Sequence, residues 1–287
     1  MATEQFLEVN GALLAYFTKG EGPLVITLHG GRGFGSKTGD FRVYSKLADY
    51  GYKVVSFDFR GHGHSSFTPP FTFSQIVDDI EAVREHFVGK EGKVIIIGGS
   101  FGGFLAQQYA ITYPSTLSYL VLRGTAASHH HESEAFEVLR SRLPQYPCVS
   151  IDMLRKVFGR FESDLEMQLV MFALGPLYSE TYNPNVGLTT CLNTVYRAQS
   201  HNDLYAESEK YFDYRDKLPL LQTPTLVIVG EKDWICPPSQ SKIICSLIPN
   251  SKLVVVPGTN HSVHQEKPQQ VIAEILRFIS SNKSASI

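Results

Sequence analysis

Six short, nearly unbroken apolar runs recur along this 287-residue chain, at 24–28, 53–57, 93–97, 118–122, 225–229 and 252–256. A strand with one wet face alternates apolar and polar residues. A run without that alternation reads as a strand covered on both faces. Between the runs lie segments with helical spacing, at 41–50, 74–87, 101–113, 238–247 and 268–280. In the second of these, Ile76, Val77, Ile80, Val83 and Phe87 share one helical face. Strands alternating with helices predict a mostly parallel, doubly wound α/β sheet with right-handed crossovers. Two leading segments, 6–9 and 13–17, alternate around Asn10-Gly11, a dipeptide suited to a type I′ hairpin. The alternation stops after Leu122 and resumes near Thr225. The intervening stretch has helical patterns and aromatic clusters at 158–161 and 205–214. It is expected to form a helical cap over the strand ends. The expected division is a first core part at 1–124, a cap at 125–217 and a second core part at 218–287.

Charge and cysteine usage exclude several classes of function. The chain carries 26 Lys and Arg against 28 Asp and Glu. It therefore offers no cationic field to recruit nucleic acid or a lipid surface. No apolar run approaches the roughly 20 residues that span a bilayer. The first residues lack a signal-type pattern, and the tail to Ile287 matches no address signal. Cys148, Cys191, Cys236 and Cys245 are scattered, as expected of unpaired thiols in a reducing compartment. The expected setting is the cytosol.

Gly98-Gly99-Ser100-Phe101-Gly102-Gly103 falls directly after one apolar run and before a helical pattern. A serine on a tight strand-to-helix turn needs neighbours without side chains, and the turn then lifts its hydroxyl clear of the sheet. A serine is a weak nucleophile without a base, and the base needs an orienting carboxylate. His261 lies in Pro257-Gly258-Thr259-Asn260-His261-Ser262, just past the last run. Asp233 lies in Gly230-Glu231-Lys232-Asp233, past the preceding run, with Glu231 as its competitor. Serine, acid, histidine is the chain order of such a triad on an α/β sheet. The loop His29-Gly30-Gly31-Arg32-Gly33 follows another run, and its glycines let a backbone amide approach a substrate oxygen. The amides of Gly31 and Phe101 are the candidate oxyanion donors. Of the remaining histidines, His29 is expected to order its loop, His62 and His64 a rigid turn, and His264 to pack near a helix edge. His129, His130 and His131 are consecutive, fan out around a helix, and are expected to be solvated or to rim the substrate.

These residues together resemble the α/β-hydrolase superfamily, and specifically its proline iminopeptidase-like branch. The matching pieces are the glycine loop, Asp58-Phe59-Arg60-Gly61-His62-Gly63-His64-Ser65, the elbow around Ser100, Leu120-Val121-Leu122-Arg123-Gly124, Gly230-Glu231-Lys232-Asp233 and Gly258-Thr259-Asn260-His261-Ser262. The double-glycine loop and Leu-Arg-Gly point to the branch. The resemblance implies the α/β-hydrolase fold with an inserted helical cap, and a hydrolase that needs no cofactor or metal. It also implies acidic cap residues that hold a substrate amino group, for which Asp203, Glu207 and Glu209 are the candidates. Two positions depart from the family pattern. Arg32 stands where proline is usual, and Trp234 follows the acid where some members carry a second acid. Arg32 is expected at the pocket mouth, available to a carboxylate or polar acyl group, and Trp234 is a further substrate-binding candidate.

The expected activity is hydrolysis of a compact, largely apolar ester, lactone or small amide through an acyl-enzyme. Two alternatives remain open from sequence. One is a non-hydrolytic catalyst on the same scaffold, such as a C–C bond lyase, a cyclase or an acyl transferase. The other is a ligand-binding receptor with vestigial hydrolysis.

Overall fold

A computed structural model describes residues 2–284; the last three residues of the tail read above lie outside the described residues. One eight-stranded sheet organises the chain: β1 (Gln5–Val9), β2 (Ala12–Lys19), β3 (Leu24–Leu28), β4 (Lys53–Phe57), β5 (Val94–Gly99), β6 (Leu117–Arg123), β7 (Thr225–Gly230) and β8 (Ser251–Val256). Its spatial order is β1-β2-β4-β3-β5-β6-β7-β8. The β1–β2 and β2–β4 pairings are antiparallel, and every later pairing is parallel. The Asn10-Gly11 turn has φ of 48° and 75°, the left-handed pair a type I′ hairpin demands.

The helices flanking the sheet are α1 (Lys37–Tyr44), α2 (Phe73–Val88), α3 (Phe101–Thr112), α10 (Pro238–Leu247), α11 (Val263–Glu266) and α12 (Pro268–Ser284). Between β6 and β7 lie α4 (His131–Arg142), α5 (Ile151–Val157), α6 (Asp164–Leu174), α7 (Pro184–Asn193), α8 (Ala198–Leu204) and α9 (Glu207–Lys210). The periodicity at 41–50 placed the first helix too late. The α-helix begins at Lys37, and 45–50 is a 3-10 segment that ends on Gly51. The cause is a distant cap: the Asp58 carboxylate accepts the Lys37 amide at 2.6 Å and its ammonium at 2.7 Å.

Strand side chains divide two cores by alternation. Leu24, Ile26 and Ile96 pack with α2 and α3 on one face, and Val25, Ile95 and Ile97 with α1 and α12 on the other. A third apolar cluster sits in the β6–β7 insertion, around Leu139, Leu154, Met167 and Leu174. It also draws in Trp234, Ile235 and Cys236 from the loop after β7. Among the described residues no helix is long and apolar enough to cross a membrane.

Candidate active site

Ser100 stands alone between the end of β5 and the start of α3, with φ 52° and ψ −121°. For a residue with a Cβ this is a strained conformation, costing about 1–3 kcal/mol, and it persists only when the surroundings enforce it. Here they do. Ser100 N donates to Arg123 O at 2.9 Å, and Ser100 O accepts from Gly103 N at 2.9 Å and Thr125 Oγ1 at 2.9 Å. The turn closes only over small residues. A Cβ at 98 would lie 2.3 Å from Gly102 O, and one at 102 would lie 2.1 Å from Leu28 O.

The loops after β7 and β8 meet in a carboxylate–imidazole pair. Asp233 Oδ2 lies 2.8 Å from His261 Nδ1, and both side chains are buried. The second carboxylate oxygen accepts the amides of Ile235 at 3.1 Å and Cys236 at 2.9 Å, so Asp233 is held from both sides. Glu231 is engaged elsewhere, accepting the Gly258 amide at 2.9 Å. With Nδ1 occupied, Nε2 is the ring nitrogen of His261 left to face a reactant. Gly124 locates the pair relative to the serine. A Cβ there would lie 2.9 Å from Asp233 Oδ2 and 3.3 Å from His261 Nδ1. Its chain neighbours Arg123 and Thr125 both hydrogen-bond the Ser100 backbone. Three segments distant in sequence thus converge at the carboxyl ends of β5, β6, β7 and β8, where open α/β sheets bind ligands. Among the described residues no hydrogen bond joins the Ser100 hydroxyl to His261. In free enzymes such contacts commonly tighten only around substrate.

The glycine loop after β3 abuts the elbow: a Cβ at Gly30 would stand 3.0 Å from the Ser100 Cβ and 3.7 Å from its Oγ. Gly31, at φ 81°, donates its amide to no acceptor among the described residues. Phe101 is the first residue of α3, so its amide has no intrahelical partner. His29 and His62 order this region. His29 stacks on Phe59 with ring centroids 4.0 Å apart, and His62 Nε2 accepts the Gly33 amide at 2.7 Å.

The substrate-contact candidates scatter. Arg32 is not at a mouth; it is buried. Its guanidinium carbon sits 3.8 Å from the Tyr205 ring centre and 5.2–5.6 Å from those of Phe73, Phe101 and Phe104, and Nη1 donates to Leu204 O at 2.9 Å. A delocalised cation stacks on ring faces and sheds water readily, which lets it enter an aromatic interior. Trp234 is fully buried in the insertion's apolar cluster, with its ring centroid 5.3 Å from that of Tyr178. Asp203 is half-buried on α8, and Glu207 is exposed. Glu209 accepts the Phe73 amide at 2.6 Å and so caps α2.

Sequence reasoning missed Glu132, one residue past the three histidines. Burial raises its carboxyl to about 7, opposed by Lys210 and Arg32, and the Lys210 ammonium is 3.8 Å away. No periodicity marks it, because the charges that act on it, Lys210 and Arg32, come from segments distant in sequence. His131 also departs from expectation. It is buried rather than solvated, its Nδ1 lies 2.9 Å from Ser128 O, and burial lowers it to about 4. Burial follows from the Phe104, Phe158 and Phe212 rings around it. His130 does remain exposed.

Comparisons with known proteins agree with this architecture. The family model for the alpha/beta hydrolase fold matches residues 23–268. The chain is 56% identical over 274 residues to the proline iminopeptidase PfmaB of Pestalotiopsis fici, covering 94% of this chain and 97% of that one. Among solved structures, a thermophilic esterase from Thermogutta terrifontis is 26% identical with a TM-score of 0.73, covering 97% of this chain and 99% of that one. The proline iminopeptidase of Mycobacterium smegmatis superposes with a TM-score of 0.77 at 22% identity, over 99% of this chain and 100% of that one. A serine elbow, an imidazole–carboxylate pair and a helical insertion on a mostly parallel sheet, matched along nearly the whole length, mean that the chain belongs to the α/β-hydrolase family, on its proline iminopeptidase-like branch.

Proposed function

We propose that this hydrolase cleaves a small amide, ester or lactone through Ser100, His261 and Asp233, with residues 125–217 acting as the cap. Ser100 Oγ attacks the substrate carbonyl carbon while His261 Nε2 takes its proton. Asp233 fixes the imidazole tautomer and offsets the charge it gains. The Gly31 and Phe101 amides hold the oxyanion, aided by the positive end of α3. The imidazolium then protonates the leaving amine or alcohol, giving an acyl-enzyme. Water, deprotonated by His261, releases the acid and restores the hydroxyl. No step calls for a metal or cofactor.

The observation that carries this reading is the 2.8 Å Asp233–His261 pair, set against the same strand end that anchors the strained Ser100 backbone. The name of the Pestalotiopsis relative supports an amino-terminal prolyl residue as the acyl part of the substrate. For a substrate amine, Glu132 is a half-buried insertion carboxyl with a raised proton affinity, and like Asp203, Glu207 and Glu209 it has no observed contact with the triad. Arg32 and Trp234, both buried, would shape the site through the rings they pack against rather than by touching substrate. The four thiols are free, which supports a cytosolic setting.

The deciding experiment reacts the protein with a fluorophosphonate and compares prolyl-p-nitroanilide, p-nitrophenyl acetate and a lactone as substrates. An adduct on Ser100 and turnover lost in Ser100→Ala are expected. Turnover retained by Ser100→Ala would reject the mechanism. Prolyl turnover insensitive to Glu132→Gln would reject the amine assignment.

A further inference from the structure

The Leu-Arg-Gly motif is not used by the chemistry above, yet its arginine is buried beneath the elbow. Arg123 pairs in register with Gly99 across the β5–β6 ladder. Its guanidinium lies flat against that glycine: a Cβ at 99 would stand 1.9 Å from Nη2 and 2.3 Å from Cζ. Its carbonyl accepts the Ser100 amide. Arg123 therefore touches the elbow through both side chain and backbone, on consecutive residues. The same Nη2 also meets Asp40 of α1, 3.5 Å from Oδ1. The same Oδ1 lies 3.3 Å from Nε2 of His264 on α11, three residues past His261. Tyr44 stacks on His264, with centroids 5.9 Å apart and planes within 8°. Asp40, Arg123 and His264 are each about 4% exposed, and Tyr44 is 1% exposed.

We propose that Asp40 is a positioning residue: its carboxylate ties the arginine under the nucleophile turn to the short helix that carries the histidine loop. Burial is a poor way to gain stability from such a group. Taking two charges out of water costs several kcal/mol each, and a 3.5 Å contact returns little of it. Asp40 Oδ2, Arg123 Nε, His264 Nδ1 and Tyr44 Oη also have no hydrogen-bond partner. What the cluster does uniquely is bridge α1, β5, β6 and α11 with one acceptor, and so fix the elbow relative to the imidazole. A shift of about 1 Å in such a relation is enough to lose about 100-fold in rate. His264 stays neutral, lowered to about 4 mainly by burial and by Arg123, and so its Nε2 stands 3.3 Å from Asp40 without adding charge. The groups facing Asp40 are Arg123 from β6, His264 from α11, and His29 from the loop after β3.

This inference rests on Ser100 and His261 being the reacting pair. The test measures p-nitrophenyl acetate turnover and the rate of fluorophosphonate labelling in the full chain, normalised to sites labelled at completion. The variants are Asp40→Asn, Arg123→Gln and both together, with thermal midpoints recorded alongside. Each single variant is expected to lose 10–100-fold in kcat and in labelling rate, with KM within threefold. The double variant is expected to lose no more than the worse single. A thermal midpoint lowered with kcat per labelled site unchanged, or losses that multiply in the double variant, would overturn the proposal. If these variants do not fold, His264→Gln and His264→Leu decide. Glutamine keeps a donor and should lose clearly less kcat than leucine; equal kcat in the two would overturn it. Failure of the underlying mechanism shows separately, as Ser100→Ala that still turns over.

Discussion

Ser100 and Asn10 are the two non-glycine residues with positive φ among the described residues, and they mark different things. Asn10 belongs to a turn that favours it. Ser100 keeps a side chain where a glycine would sit without strain, so function and stability oppose each other at that position. Ser100→Ala should lose roughly five to six orders of magnitude in kcat and keep its thermal midpoint, since the Cβ remains. Ser100→Gly should be equally inactive yet unfold about 1 kcal/mol harder in urea. Equal midpoints for the two variants would mean that the turn stores no strain. Glu132 gives a second residue-level prediction. The unfolded chain loses this proton near 4.5, the folded chain near 7. Between those values the folded state binds more protons, so stability falls as pH rises through the window. Glu132→Gln should therefore match wild type at pH 4.5 and exceed it at pH 8 by about 1–3 kcal/mol. Urea midpoints at the two pH values check this, and an equal gain at both would remove burial as the cause. Ser100 was legible because its turn is local, written in four flanking glycines. Glu132 was not, because its environment is assembled from Lys210 and Arg32, both far away in sequence.

At the level of elements, Glu209 is tied to the start of α2. Its carboxylate caps the Phe73 amide alongside the Thr72 side chain, which accepts from Gln75 N. Glu209→Ala should lower stability by about 1 kcal/mol, as loss of a helix cap does. Its kcat and KM toward prolyl-p-nitroanilide should stay near wild type. A large rise in KM would return Glu209 to the substrate. The inner strands β3, β5 and β7 were readable because burial on both faces writes itself as an unbroken apolar run; β8 has such a run too, but at the sheet edge it leaves Val255 exposed rather than covered. The start of α1 was not, since its cap is the Asp58 side chain across the sheet. The insertion helices were hard to place for a related reason. Exposed Leu165, Leu169, Val186 and Leu192 blur the amphipathic pattern of α6 and α7.

Across the whole molecule, five histidines are buried with their charged forms disfavoured: His29, His62, His131, His201 and His264. Desolvation lowers His62 and His201 to about 3, and His131 and His264 to about 4; His29 is lowered as well. The unfolded chain takes up protons on these side chains near 6.5, while the folded chain refuses them until lower pH. The unfolded state then binds more protons, so stability rises with pH across the window from about 4 to 6.5 and is complete above it. Each histidine contributes a slope approaching 1.4 kcal/mol per pH unit there. The urea midpoint should drop steeply from pH 7 to pH 5, and less steeply in His131→Gln. A midpoint unchanged over that interval would place these rings in contact with water. The sequence placed His29 and His62 in an ordered loop and turn and His264 in packing near a helix edge, but not the burial of His131 or His201; that of His131 depends on Phe104 and Phe158 arriving from other segments.

The insertion is fastened to every loop that the proposed chemistry uses. Arg197 N donates to Gly33 O, and Arg32 to Leu204 O, beside the oxyanion loop. Asn260 donates to Leu177 O and Glu180, and Ser262 N to Tyr178 O, beside the histidine. Trp234 carries the acid's own loop into the insertion's interior. A door hung on two jambs can swing without disturbing the lock; this one is bolted to the lock itself. Any wholesale lifting would drag the proposed base, acid and oxyanion loop out of alignment at once. On the proposed mechanism, a substrate would then enter by partial loosening of single segments rather than by the insertion lifting as one body.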